Sequence, residues 1–306
     1  MSVVSQKVDL KFGNSDWKSE TKPTWCPGCG DYGVLSATKK ALVALQRDPK
    51  DTVVASGIGC SSNFPHFLGS YGIHTLHGRI GPYLTSIKVT NPHLTVIGAG
   101  GDGDGLGIGI GGLIHAARRN LDVTYVIMDN QIYGLTTGQT SPTSRIGHKT
   151  KSTPEGNIEN PLNPIAVGLA AGATFVARAF SGDGKHFAEI MKRAIAHKGF
   201  SFVDALSPCV TFNRFNTYDY FRERVFNLDE TDHDTTNILK AYERAYDWDL
   251  KDKVPVGIYY EVAKPTYEDQ DPAYVDQDPA YKSYKSVIDR GAIRPQNHKE
   301  LVGHLY

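Results

Sequence analysis

Short runs of β-branched residues recur along this chain, each followed by a glycine- or proline-bearing turn and then by residues at helical spacing. The run at 51–56 opens into Gly57-Ile58-Gly59-Cys60, and the run at 93–97 opens into the glycine-rich stretch 98–105. A helix is expected over 106–120, where Leu106, Ile110, Leu113, Ile114 and Ala117 share one face. Further strands are expected at 122–128, 174–178, 200–206 and 254–260, and further helices at 31–46 and 184–198. Strands alternating with helices specify an α/β fold: a mostly parallel sheet with helices on both faces. Ligands of such sheets bind beyond the carboxyl ends of the strands. The loops at 57–60, 101–103, 129–130 and 207–209 should therefore open on one edge.

The 306 residues allow two small domains or one large one. We divide them into an α/β domain, 1–260, and an extended C-terminal arm, 261–306, in which Asp269-Gln-Asp-Pro-Ala-Tyr274 repeats as Asp276-Gln-Asp-Pro-Ala-Tyr281. Residues 139–164 show no element pattern, and a loop that long within a compact domain is usually functional. Lys+Arg and Asp+Glu are both 33. That balance lacks the basic excess of a nucleic-acid or anionic-membrane surface. No apolar run approaches the ~20 residues of a membrane span, and the first nine residues lack a signal-peptide stretch. A cytoplasmic enzyme is the expectation.

Gly98-Ala-Gly-Gly-Asp-Gly103 satisfies the dinucleotide pattern G-x-G-x-x-G. Its acids argue against that reading, because Asp102 and Asp104 would repel a pyrophosphate by several kcal/mol at low effective dielectric. A divalent cation between them removes the conflict. Mg²⁺ takes oxygen ligands and bridges one or two protein groups to substrate phosphates. Asp129-Asn130 closes the next predicted strand and should face Asp102 across the sheet edge. Asp102, Asn130, the Ile132 carbonyl, two diphosphate oxygens and a water make six oxygens. This G-D-G…D-N arrangement resembles the thiamine-diphosphate motif. An NAD fingerprint and an ordinary glycine-rich turn are the alternatives. The helix beginning near Leu106 would add its N-terminal dipole.

Four cysteines occur: Cys26, Cys29, Cys60 and Cys209. The first two form a C-x-x-C pair, and the others follow predicted strands, so three loops bring the thiols toward one edge. On ligand count a structural zinc and a 4Fe–4S cluster suit them about equally, and unliganded core thiols remain possible.

Together with Trp25-Cys-Pro-Gly-Cys-Gly30, Gly57-Ile-Gly-Cys-Ser61, Leu76-His-Gly-Arg79, Gly101-Asp-Gly-Asp104, His115-Ala-Ala-Arg-Arg-Asn120, Met128-Asp-Asn-Gln-Ile-Tyr-Gly-Leu-Thr136 and Gly138-Gln-Thr-Ser-Pro142, the chain resembles a known family. It is similar to the β subunits of 2-oxoacid:ferredoxin oxidoreductases, of the archaeal two-subunit type. The resemblance covers 24–209 in order and leaves the last hundred residues nearly untouched. It implies a thiamine-diphosphate-binding fold. It also implies a 4Fe–4S cluster on Cys26, Cys29, Cys60 and Cys209, and Mg²⁺ on Asp102, Asn130 and the Ile132 carbonyl. Ile58, Gly59, Cys60, Ser61, His77, Gly103, Asp104, Gly134 and Leu135 would contact thiamine diphosphate.

The activity so implied is oxidative decarboxylation of a 2-oxoacid with coenzyme A, electrons passing through the cluster to ferredoxin. The glutamate that activates the cofactor would sit on an α subunit, leaving no certain catalytic residue here. His77 is expected to position the cofactor and His115 to pack. Arg79 could meet a carboxylate or cap a loop, and His66 could line the site or pack. Many relatives are basic where this chain has Thr137 and Asn63. Their loss favours pyruvate and other monocarboxylic 2-oxoacids over 2-oxoglutarate. The competing classes are an NAD-dependent dehydrogenase with Asp129 on the ribose, a zinc-stabilised assembly subunit, and an acetolactate-type carboligase.

Overall fold

A computed structural model describes residues 11–270. From 271 onward the expected arm lies outside the described residues. Eight strands form one sheet: β1 (Thr52–Ser56), β2 (Tyr71–His74), β3 (Thr95–Gly101), β4 (Val123–Asp129), β5 (Phe175–Phe180), β6 (Phe200–Leu206), β7 (Val225–Asn227) and β8 (Val254–Glu261). Their order is β2-β1-β3-β4-β6-β5-β8-β7, with β8 antiparallel to β5 and every other pair parallel. The helices are α1 (Asp31–Ala44), α2 (Ile80–Thr90), α3 (Ile110–Arg118), α4 (Pro164–Ala170), α5 (Gly184–Ala196), α6 (Tyr218–Arg224), α7 (Ile238–Ala245), and two short turns at Asp247–Lys251 and Tyr267–Gln270.

The central strands are buried on both faces, as a parallel sheet requires. Alternate residues serve opposite layers. Val54, Ile97, Val126 and Val203 pack with α1 and α5, through Val34, Leu42, Phe187 and Met191. Val96, Tyr125, Ile127 and Phe202 pack with α2, α3 and α4, through Ile80, Leu84, Leu113 and Leu169. Each large apolar side chain buried this way contributes about 1.5–3 kcal/mol. The strand order places neighbours of β1 on both sides, with β2 outward and β3 inward. The chain therefore reverses direction across the sheet between β1 and β3, the crevice where α/β folds hold ligands.

The glycine run departs from its expected form. β3 continues through Gly98 to Gly101, so these residues belong to a strand. Side chains at Gly98 and Gly100 would overlap Ile80 of α2, so these glycines admit a helix to the sheet. A dinucleotide fingerprint needs its first glycine in a turn; here it is mid-strand. The helix expected from Leu106 to Asn120 is also broken. A π-helical turn spans Gly103–Ile108 with a kink inside it at Gly107, and α3 begins only at Ile110. The kink rotates α3, exposing Ile114 and His115 and burying Ala116. His115 is thus not the packed residue expected.

β2 and α2 are not legible in the sequence. β2 is a short, largely exposed edge strand. α2 carries Gly81 and Pro82 in its first turn, where proline is tolerated but reads as a breaker. At the chain's other end, residues 261–270 lie along the sheet. The Val262 amide donates to the Thr174 carbonyl, and the Asn120 side chain donates to the carbonyls of Lys264 and Pro265.

Candidate active site

The loops after β1 and β2 are held by one carboxylate. Asp104 Oδ1 accepts from the Ile58 amide at 2.9 Å, the Gly78 amide at 2.8 Å and His77 Nδ1 at 2.6 Å. The Asp104 side chain is fully buried while His77 is partly exposed. A Cβ on Gly57 would overlap that carboxylate, so only glycine lets the chain leave β1 here. Asp104 thus faces inward and fixes His77 in orientation. Its second oxygen is buried with no partner among the described residues.

Asp102 closes the opposite wall. Its Oδ2 lies 2.6 Å from Thr143 Oγ1. The same hydroxyl lies 2.8 Å from Asp129 Oδ1. A hydroxyl has one proton and can donate to only one carboxylate. Both contacts are satisfied when Asp129 holds a proton of its own and donates it to Thr143. Burial, with the neighbouring charges of Asp204 and Asp102, does hold Asp129 well above the usual carboxylate range. Burial also pushes Asp102 up to about 6, against its hydrogen-bond donors. Asp102 Oδ1 is buried without a partner among the described residues. Behind this group Arg178 and Asp204 form a buried pair at 2.7 Å, with the Tyr259 hydroxyl 3.2 Å from Arg178.

Residues 130–139 form a tight turn beside these acids. The Asn130 side chain accepts from the Ile132 amide at 3.1 Å, and Gln131 takes a left-handed φ of 57°. The Tyr133 hydroxyl donates to the Gly103 carbonyl at 2.9 Å, joining this turn to the π-helical turn. Asp102, Asn130 and Ile132 are therefore neighbours. A cation would find a partnerless carboxylate oxygen here, and the first turn after β3 begins at Gly103 rather than at Leu106.

The four thiols lie along the same edge. Cys26 is exposed, and Cys29, Cys60 and Cys209 are half-buried. The Cys29 amide closes the C-x-x-C turn onto the Cys26 carbonyl at 3.0 Å, and the Trp25 indole donates to the Cys60 carbonyl at 2.7 Å. A Cβ on Gly134 would sit 3.6 Å from Cys60 Sγ and 3.8 Å from Cys209 Sγ. Burial and then the Asp31 carboxylate push Cys60 up to about 11, and Cys29 higher still. Bare thiols at Cys29 and Cys60 therefore stay protonated near neutral pH. Among the described residues, no three Cys, His, Asp or Glu side chains close around a single ion.

Several other residues lie outside these contacts. Ile58 and Leu135 are exposed beside the crevice. Arg79 is exposed and its guanidinium has no partner among the described residues. His66 is exposed too, its ring 5.4 Å from that of His74. Thr137 is exposed at a φ of 77°, and the Asn63 amide donates to the Cys60 carbonyl at 3.3 Å. Asp129 is 1 % exposed behind Thr143, so it cannot meet the ribose an NAD reading assigns to it. Sequence reasoning missed Thr143, Tyr133 and Asp31. The only signal for Thr143 is its place in the long loop after 139, and Asp31 reads as a helix start.

Comparison with known proteins accords with this geometry. The family described as "Thiamine pyrophosphate enzyme, C-terminal TPP binding domain" matches residues 57–205. A second family, the C-terminal region of the pyruvate ferredoxin oxidoreductase beta subunit, matches 209–276. The chain is 45% identical to 2-oxoacid:ferredoxin oxidoreductase 1, subunit beta, of Aeropyrum pernix, covering 84% of each chain. It is also 45% identical to the 2-oxoacid:ferredoxin oxidoreductase subunit beta of Saccharolobus solfataricus, covering 78% of this chain and 81% of that one. The solved 2-oxoglutarate:ferredoxin oxidoreductase of Magnetococcus marinus superposes with a TM-score of 0.84 at 42% identity, covering 98% of this chain and 97% of that one. With sequence, fold and both halves of the chain matching over this length, the protein belongs to the family of 2-oxoacid:ferredoxin oxidoreductase β subunits.

Proposed function

We propose that this chain carries the thiamine-diphosphate and electron-exit half of a 2-oxoacid:ferredoxin oxidoreductase. The enzyme would oxidise a 2-oxoacid with coenzyme A to acyl-CoA and CO₂, sending electrons through a 4Fe–4S cluster to ferredoxin. When bound, thiamine diphosphate supplies the nucleophilic carbon and the electron sink for decarboxylation. Asp102, Asn130 and the Ile132 carbonyl would hold Mg²⁺ against the diphosphate. Ile58 to Ser61, His77, Gly103, Asp104, Gly134 and Leu135 would line the cofactor. His77, anchored on Asp104, orients the cofactor and is not a free base.

Cys26, Cys29, Cys60 and Cys209 would hold the cluster. The observation that carries this reading is Gly134: it lies in the turn after Asn130, yet it borders the sulfurs of Cys60 and Cys209. The two cofactor positions therefore meet at one residue, as electron transfer requires.

No glutamate stands among the residues of this site, so cofactor activation falls to an α subunit in a heterodimer or a larger assembly. Such an enzyme works in the cytoplasm, and among the described residues no helix is long and apolar enough to cross a membrane. Thr137 and Asn63 bring no cation to the crevice, which supports monocarboxylic 2-oxoacids such as pyruvate as substrates. The test is purification under anaerobic conditions with the α subunit. Iron, sulfide and bound thiamine are expected, with a brown colour. The chain alone should not oxidise 2-oxoacids. A colourless protein with one zinc and no thiamine, retention of NAD, or full activity of the isolated chain would overturn the proposal.

A further inference from the structure

We infer that Asp31 is a positioning residue for the thiolate-held cluster, tying its three loops together. The inference rests on the cluster reading above and adds a residue that the thiol ligand set does not include. Asp31 opens α1 two residues after Cys29, and only 1 % of it is exposed. One carboxylate oxygen accepts from the Ser61 hydroxyl at 2.9 Å, the other from the Ser207 hydroxyl at 2.5 Å. Ser61 follows Cys60 directly, and Ser207 stands two residues before Cys209. The three cysteine-bearing segments, distant in sequence, thus converge on this one carboxylate.

The neighbouring backbone reinforces the clamp. The Gly30 amide donates to the Pro208 carbonyl at 3.1 Å, and a Cβ on Gly30 would overlap Ser207. Both carboxyl oxygens accept hydroxyl protons, and burial holds the group above the usual carboxylate range against these donors. Among the described residues no Lys, Arg or His pairs with it. Hydrogen bonding around the thiolates is one determinant of an iron–sulfur cluster's potential.

The experiment uses the assembled holoenzyme, with iron release to a ferrous chelator and an EPR-monitored redox titration as readouts. Asp31→Asn should release iron about 10-fold faster or more, the usual effect of losing a residue that supports a metal ligand. Its remaining cluster should titrate at a potential different from that of the unaltered enzyme, because the hydrogen bonds around the thiolate loops change. Release and potential both equal to the unaltered enzyme would overturn the inference. Should Asp31→Asn fail to assemble, the double variant Ser61→Ala with Ser207→Ala keeps the carboxyl group and removes the struts. Faster iron release then supports the clamp, and unaltered release overturns it. An unaltered enzyme that purifies without iron overturns the cluster reading and this inference together.

Discussion

The acid-lined crevice and the thiol edge lie side by side on one end of the sheet, but they are stabilised in opposite ways. In the crevice every carboxyl group has hydrogen-bond partners: two amides and an imidazole donate to Asp104, the Thr143 hydroxyl donates to Asp102, and Asp129 meets that hydroxyl and the Gln131 amide. The thiols have little such support. At Cys29 and Cys60, burial and then the Asp31 carboxyl group disfavour the charged form. The first region is therefore largely built before any ligand arrives, with individual oxygens left over. The second is a set of loops bearing thiols whose charged form only a bound group can balance. An unpaired buried charge is costly, so the thiol edge should depend more on its occupant than the crevice does.

The largest test of this contrast is Asp102→Ala in the assembled enzyme. It removes the carboxylate offered to the cation, and thiamine-diphosphate affinity and kcat/KM should fall by more than ~100-fold. The iron content should stay unchanged if the two regions are as independent as their hydrogen bonds indicate. Loss of iron along with the cofactor would break the comparison.

Thr143→Val is next. It keeps the shape but removes the hydroxyl that bridges two buried carboxyl groups, a loss of about 1–3 kcal/mol, to be read from denaturant midpoints. The same site gives a pH signature. The folded-state pKa of Asp102 is raised from 3.8 to about 6, so the folded protein binds more protons between these values than the unfolded chain does. Stability of the metal-free protein should then fall as pH rises from about 4 to about 6. Asp102→Asn should flatten that slope in a thermal-shift series, and a slope of the opposite sign would show that the carboxylate is not held as described.

The smallest effect concerns substrate choice. Asn63→Lys places a cation next to the crevice, and the kcat/KM ratio of 2-oxoglutarate to pyruvate should rise severalfold, an exposed ion pair contributing about 0–1 kcal/mol. A native enzyme that already prefers 2-oxoglutarate would overturn the monocarboxylic assignment.

The strands β1, β4, β6 and β8 are legible within a residue or two, because strands buried on both faces are continuous apolar runs bounded by turn residues. The G-D-G and D-N segments are legible as a pair for a related reason: a diphosphate beside carboxylates makes chemical sense only with a cation. Length and spacing alone also bring four cysteines to one edge. Other features depend on approach in space. The glycines at 98 and 100 look like a loop but lie in a strand, because α2 needs room against β3. The π-helical turn and the rotation of α3 follow from backbone packing at Gly107, which leaves no periodic trace. The roles of Thr143 and Asp31 are invisible in the sequence, since each joins residues far apart in the chain. Local pattern determines which segments are strands and which residue types can bear chemistry. Only tertiary packing decides which oxygens are left without partners, and that selects where a charged ligand can be held.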